Sequence, residues 1–198
     1  MLDENARLLL LKTARAAIVE AAAGNIPSLL SLPDLPPELR EDGASFVTLT
    51  IRGDLRGCIG SLEARQPLAA DVQEHAVDAA FHDYRFPPLS PGEVNVVRIE
   101  ISVLSRPAPL AYGSPEELPV KLLPGIDGVI LIQGLRRATY LPQVWEQIPD
   151  ARAFLSSLCR KMGADSDLWL RQKLDVLTYR VEHFSEGEQG ALPNAPAA

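Results

Sequence analysis

The chain has 198 residues, a formal charge of −7 and 17 prolines. Its hydrophobic share of 46% and charged share of 23% are those of a globular protein with a sizeable core. The acidic balance disfavours a nucleic-acid or anionic-membrane binder, and the proline count excludes a simple helical bundle, because proline removes a backbone donor and stops helices.

Residues 3–23 read as a helix, with Leu10, Ala14, Ala17 and Ala21 on one face and Gly24 as its stop. The segment from Asn25 to Gly43 holds Pro27, Pro33, Pro36 and Pro37 and predicts a connection without a long regular element. Phe46–Ile51 alternates as a strand, Gly53-Asp54 signals a turn, and Leu55–Ser61 is the second strand of a hairpin. A helix from Pro67 to about Tyr84 follows, with Val72, Ala76 and Ala79 as its core stripe. Val94–Ser105 is β-type, and the proline-rich stretch from Pro107 to Gly125 predicts mostly loop. Gly128–Ile132 and Ala138–Leu141 make a second hairpin around Gln133-Gly134. Asp150 caps a helix running to Met162 and burying Phe154, Leu158 and Cys159. A short helix at Ser166–Arg171 and a last strand, Val176–Phe184, complete the order, and residues 187–198 read as a disordered tail. Hairpins without βαβ alternation define an α+β fold with an antiparallel sheet and helices packed against it.

No apolar run approaches the roughly 18 residues of a membrane span. Met1–Asn5 lacks the positive region of a secretory signal. Cys58 and Cys159 fit neither a disulfide framework nor a zinc pattern. The expectation is a reduced, cytoplasmic protein without a metal site.

The densest chemical feature is Leu55-Arg-Gly-Cys-Ile-Gly60. Glycines inside a strand mark a bulge or a close approach of backbone or ligand. Alternation puts Arg56 and Cys58 on one face, where a guanidinium favours the thiolate. The hairpin register leaves two outcomes. A three-residue loop pairs Thr50 with Arg56 and Thr48 with Cys58 on a polar face. A two-residue loop Gly53-Asp54 sets Leu49 opposite Cys58 and buries the thiol, the usual state of a free cysteine. On the following helix, Asp71, His75, Asp78 and His82 share a face. His75 and His82 are two turns apart, too far to share one ion, and a solvated polar face is the better reading. In Asp83-Tyr84-Arg85-Phe86-Pro87-Pro88, Arg85 either holds an anion through its fork or locks the corner with Asp83. In the stretch Arg136–Trp145, Tyr140 and Gln143 either face a cleft or satisfy a strand end.

Three motifs in this order, Leu55–Gly60, Asp83-x-Arg85-Phe86-Pro87-Pro88 and Thr139-Tyr-Leu-Pro-Gln-Val144, resemble the AMMECR domain family over roughly Leu8–Phe184. The Phe-Leu-x-x-Leu-Cys-x-Lys-x-Gly run within Leu141–Trp169 is closest to the prokaryotic members called AmmeMemoRadiSam system protein A. The resemblance implies a single α+β domain over 1–186 with a smaller lobe. It implies two partners, a Memo-like protein related to extradiol dioxygenases and a radical S-adenosylmethionine (SAM) enzyme, and it names no cofactor. Carried over by position, Arg56, Gly57, Cys58 and Gly60 match its signature, Asp83, Arg85, Phe86 and Pro87 its second motif, and Leu141, Pro142 and Gln143 its third.

Two functions follow as expectations. In the first, the chain is an enzyme or enzyme component. Cys58 is its catalytic nucleophile or contact residue, and Arg56, Gly57, Gly60, Asp83, Arg85 and Gln143 bind a small anionic substrate. That chemistry needs a base, and His183, on the last strand, is the candidate for it. In the second, the same motif is a non-catalytic docking surface for a partner protein.

Overall fold

The computed structural model describes residues 2–187. In chain order it contains α1 (Glu4–Ala22), α2 (Pro37–Arg40), β1 (Asp42–Ile51), β2 (Asp54–Gly60), β3 (Gln66–Pro67), α3 (Leu68–Phe81), α4 (Pro91–Val94), β4 (Arg98–Leu104) and β5 (Ala108–Pro109). It continues with α5 (Glu117–Lys121), β6 (Gly128–Gln133), β7 (Arg136–Tyr140), α6 (Val144–Gln147), α7 (Ala151–Lys161), α8 (Leu168–Arg171), β8 (Asp175–Tyr179) and β9 (Val181–Ser185). Helices beside antiparallel sheets make the fold α+β. The chain forms two compact units, one up to Leu104 and again from Glu182, the other Ser105–Val181. Among the described residues no helix is long and apolar enough to cross a membrane. Residues 188–198 of the expected tail lie outside the described residues.

In the first unit the sheet order is β2-β1-β4-β9, with β3 pairing β1 off this path. Alternation along β1 and β4 sends Val47, Leu49, Ile99 and Ile101 into the core, all fully buried. There they meet Leu10, Ala14 and Ile18 of α1 and Val72, Ala76 and Ala79 of α3. Small residues on both helices let their backbones come close to the sheet. Asp3 caps α1 by accepting from the Ala6 N–H at 2.7 Å, and Gly24 ends it at φ +78°.

In the second unit the order is β5-β8-β6-β7. Its core gathers Val129, Leu131, Phe154, Leu158, Cys159 and Trp169. Trp145 stacks on Phe154 with ring centroids 3.7 Å apart, and its indole N–H donates to the Asp127 carbonyl at 2.7 Å.

Several elements differ from the sequence reading. The expected strand Val176–Phe184 is two strands in different sheets, broken at Arg180, whose N–H and C=O are both bonded by Ser105. A run of β-formers does not reveal which sheet takes which half. The start of Val94–Ser105 is helical instead, because Ser90 and Glu93 form a reciprocal capping box behind Pro91. The face Asp71–His75 of α3 is buried, not solvated. Asp71 reaches into the sheet to accept from the Ser45 hydroxyl at 2.6 Å.

Candidate functional site

The hairpin β1–β2 turns through Arg52 (φ 55°) and Gly53 (φ 90°). Positive φ at both central residues is what a two-residue primed turn demands. Ile51 faces Asp54 and Thr50 faces Leu55 across this turn. The register then slips by one residue between Leu49 and Thr50, so that Leu49 faces Gly57 and Thr48 faces Cys58. The two-residue turn is Arg52-Gly53 instead of the expected Gly53-Asp54, yet Thr48 pairs with Cys58 as the three-residue loop predicts, and the thiol lies on the polar face. A β-bulge at Arg56 reconciles the two. Cys58 is half-buried, and the Thr48 hydroxyl donates to its Sγ at 3.4 Å.

Strand β2 is a sheet edge, and the backbone of Cys58 is closed off there by side chains. Its N–H donates to Asp83 Oδ2 at 2.9 Å, and its carbonyl accepts from Arg85 Nη2 at 3.0 Å. Asp83 and Arg85 thus stand where a further strand would pair, which protects the edge. They also bind each other through two contacts, Nε to Oδ1 at 2.9 Å and Nη2 to Oδ2 at 2.7 Å. Asp83 is buried and the outer side of Arg85 is open to solvent. The Arg85 guanidinium holds the Asp83 carboxyl well below the usual carboxylate range, against the opposing effect of burial and with help from the Cys58 and Arg85 N–H groups.

Arg56 is engaged as well. Its Nε donates to Glu93 Oε1 at 2.8 Å, and Nη2 reaches Glu93 Oε2 at 3.2 Å. The Arg56 hydrogen bond lowers the Glu93 carboxyl to about 2, assisted by the N–H and hydroxyl of Ser90. Both arginines lie over Phe86, whose ring centroid is 6.0 Å from the Arg56 guanidinium carbon and 5.5 Å from that of Arg85.

Both signature glycines have a steric cause. A Cβ on Gly57 would stand 2.1 Å from the Ala79 carbonyl oxygen of α3. One on Gly60 would stand 2.4 Å from the Phe46 ring and the Ser45 carbonyl oxygen. The bare backbone lets a helix and a neighbouring ring approach the strand.

The structure therefore brings together Arg56, Gly57, Cys58, Gly60, Asp83 and Arg85. Gln143 belongs to the second unit, exposed at the start of α6. His183 is exposed on β9 and its Nδ1 lies 2.8 Å from the Ser102 hydroxyl. Glu93 is the site residue that sequence reasoning missed, whereas Thr48 stands opposite Cys58 as one of the two registers predicts. The Ser90-Pro-Gly-Glu93 capping pattern could have located Glu93, but nothing in the sequence pairs it with Arg56 across 37 residues. Among the described residues no group of three or more His, Cys, Asp or Glu is placed to hold a metal ion.

The class of protein defined by this fold and site is an α+β chain whose edge-strand cysteine is clamped by an Asp-x-Arg corner. The AMMECR1 family model matches residues 11–184, and the chain belongs to that family. Relatives include a protein of Thermofilum pendens, 40% identical over 90% of this chain and 88% of its own length. Another, from Methanothermobacter thermautotrophicus, is 40% identical over 89% of this chain and 92% of its own. The crystal structure of an uncharacterised protein from Pyrococcus horikoshii is similar with a TM-score of 0.72 and 35% identity, covering 92% of each chain.

Proposed function

We propose that this AMMECR1-family chain is a recognition component, and that the corner formed by Leu55–Gly60 and Asp83–Pro88 docks a partner protein. The observation that carries this is how the corner's charges are engaged. Asp83 is held by Arg85 and Glu93 by Arg56, and the one hydrogen bond to the Cys58 thiol among the described residues comes from Thr48. A nucleophile needs a base within hydrogen-bond reach, whereas a docking surface needs rigidity. Rigidity is what the clamp supplies. On that support Tyr84 stands 94% exposed, next to the open side of Arg85, and tyrosine and arginine are the residues interfaces favour.

The family resemblance makes a Memo-like protein and a radical SAM enzyme the partners to try. The test is co-purification and titration of each against the intact chain. Tyr84→Ala is expected to weaken binding at least tenfold with an unchanged melting temperature, while Cys58→Ser keeps it. Unchanged binding in Tyr84→Ala would sink the reading.

One observation favours a second reading, a Cys-dependent enzyme acting on a small anion: the thiol is half-buried on a polar face beside Arg85. That reading expects Cys58→Ser to abolish a metabolite conversion that Tyr84→Ala leaves intact.

A further inference from the structure

The tip of the β1–β2 hairpin carries a conformation that its sequence does not favour. Arg52 sits at φ 55°, a region that asparagine, aspartate and glycine enter readily and other residues seldom do. Asn-Gly is the preferred pair for such a turn, so Arg-Gly keeps a strained backbone with a particular side chain attached. Strain retained in this way points to a role for the side chain.

Beside this tip lies a cavity of about 390 Å³, within the size range of small-molecule sites. Ile51, Leu55 and Val96 give it an apolar wall, and the last two are 45% and 61% exposed. Arg56 and Glu93 also line it but neutralise each other. Arg52 and Asp54, on either side of Gly53, complete the lining, and their side chains make no hydrogen bond or ion pair with the described residues. The cavity therefore offers one uncommitted cation, one uncommitted anion and an apolar wall, with no net charge.

We propose that this hairpin-tip cavity binds a zwitterionic α-amino acid with an apolar side chain. The Arg52 guanidinium fork takes the α-carboxylate, Asp54 takes the α-ammonium group, and the side chain lies on Ile51, Leu55 and Val96. A simple anion is a poorer ligand, because Asp54 repels it. The site goes beyond the docking reading and does not use the thiol.

The test is calorimetric titration of the intact chain with L-leucine, L-leucinamide and 4-methylpentanoate. Saturable binding of leucine is expected, with the amide and the acid each at least tenfold weaker because one charged group is missing. Arg52→Asn relieves the turn, so it is expected to raise the melting temperature while weakening leucine at least tenfold. Cys58→Ser is expected to bind leucine as the parent does. No saturation by millimolar leucine, equal binding of leucinamide, or undiminished binding in Arg52→Asn would each overturn the proposal.

Discussion

Helix α3 carries two Asp–His pairs with identical spacing and opposite fates. Asp71 and His75 have side chains 3% and 10% exposed, whereas those of Asp78 and His82 are 34% and 65% exposed. The exposed pair has the shorter contact, 2.7 Å against 3.2 Å. What separates them is the sheet. Ser45 of β1 donates to Asp71 at 2.6 Å and Ser61 reaches it at 3.4 Å, so the carboxylate is buried with its donors beside it. Asp78 meets no such hydroxyls and stays at the surface. Helical spacing decides which residues share a face, and only the partner surface decides whether that face is wet.

A third carboxylate sharpens the contrast, because Asp83 is buried with an arginine instead of serines and a histidine. Asp83→Ala removes the acceptor for the Cys58 N–H and leaves Arg85 without its ion pair. It is expected to cost about 3 kcal/mol, at the lower end for breaking a buried pair because Arg85 is partly solvated. Asp71→Ala leaves the Ser45 hydroxyl buried without its acceptor and is expected to cost about 2 kcal/mol. Urea denaturation of both variants checks the order. A loss for Asp71→Ala below about 0.5 kcal/mol would mean the buried cluster is dispensable.

Titration separates these groups further. Asp83 and Glu93 have folded pKa values below their unfolded ones, so their stabilisation is complete above about 4.5 and is lost as pH falls toward 2. His75 runs the other way. Burial works against its charged ring, but the Asp71 carboxylate 3.2 Å away outweighs it, with the charges of Glu74 and Asp78 adding, and the pKa is raised from 6.5. Protonated His75 is thus favoured by folding. Its contribution is full below 6.5 and disappears as pH rises through the raised folded value. Melting curves from pH 5.5 to 8.5 are expected to show a decline in the parent that His75→Gln flattens. An equal decline in that variant would assign the effect elsewhere.

Much of the frame was legible from periodicity and capping. The strand alternation of Val47 and Leu49, the helix over α3 and the Asp150 cap follow local rules, and the structure agrees with them. The unread parts are those that depend on distant partners. The burial of Asp71 depends on Ser45, the pairing of Arg56 depends on Glu93, and the division at Arg180 depends on Ser105. At the site the motif residues stood out, but the reason for their glycines did not. The reason is the Ala79 carbonyl and the Phe46 ring, which no local pattern announces. The register was unreadable for a related cause, since the turn starts one residue before Gly53-Asp54 and a bulge at Arg56 then restores the Thr48–Cys58 pair.

The smallest expected effect closes the comparison from its exposed side. His82 follows the last residue of α3, and its N–H donates to the Asp78 carbonyl at 2.8 Å. Its ring also contacts the Asp78 carboxylate. An exposed i,i+4 pair of this kind contributes roughly 0.3–0.5 kcal/mol, and salt screens its electrostatic part. His82→Ala is therefore expected to cost a few tenths of a kcal/mol at low salt, and less at 0.5 M sodium chloride. A salt-insensitive loss of about 1 kcal/mol or more would show that His82 is held by packing as His75 is. The contrast between the two pairs would then rest on geometry instead of solvation.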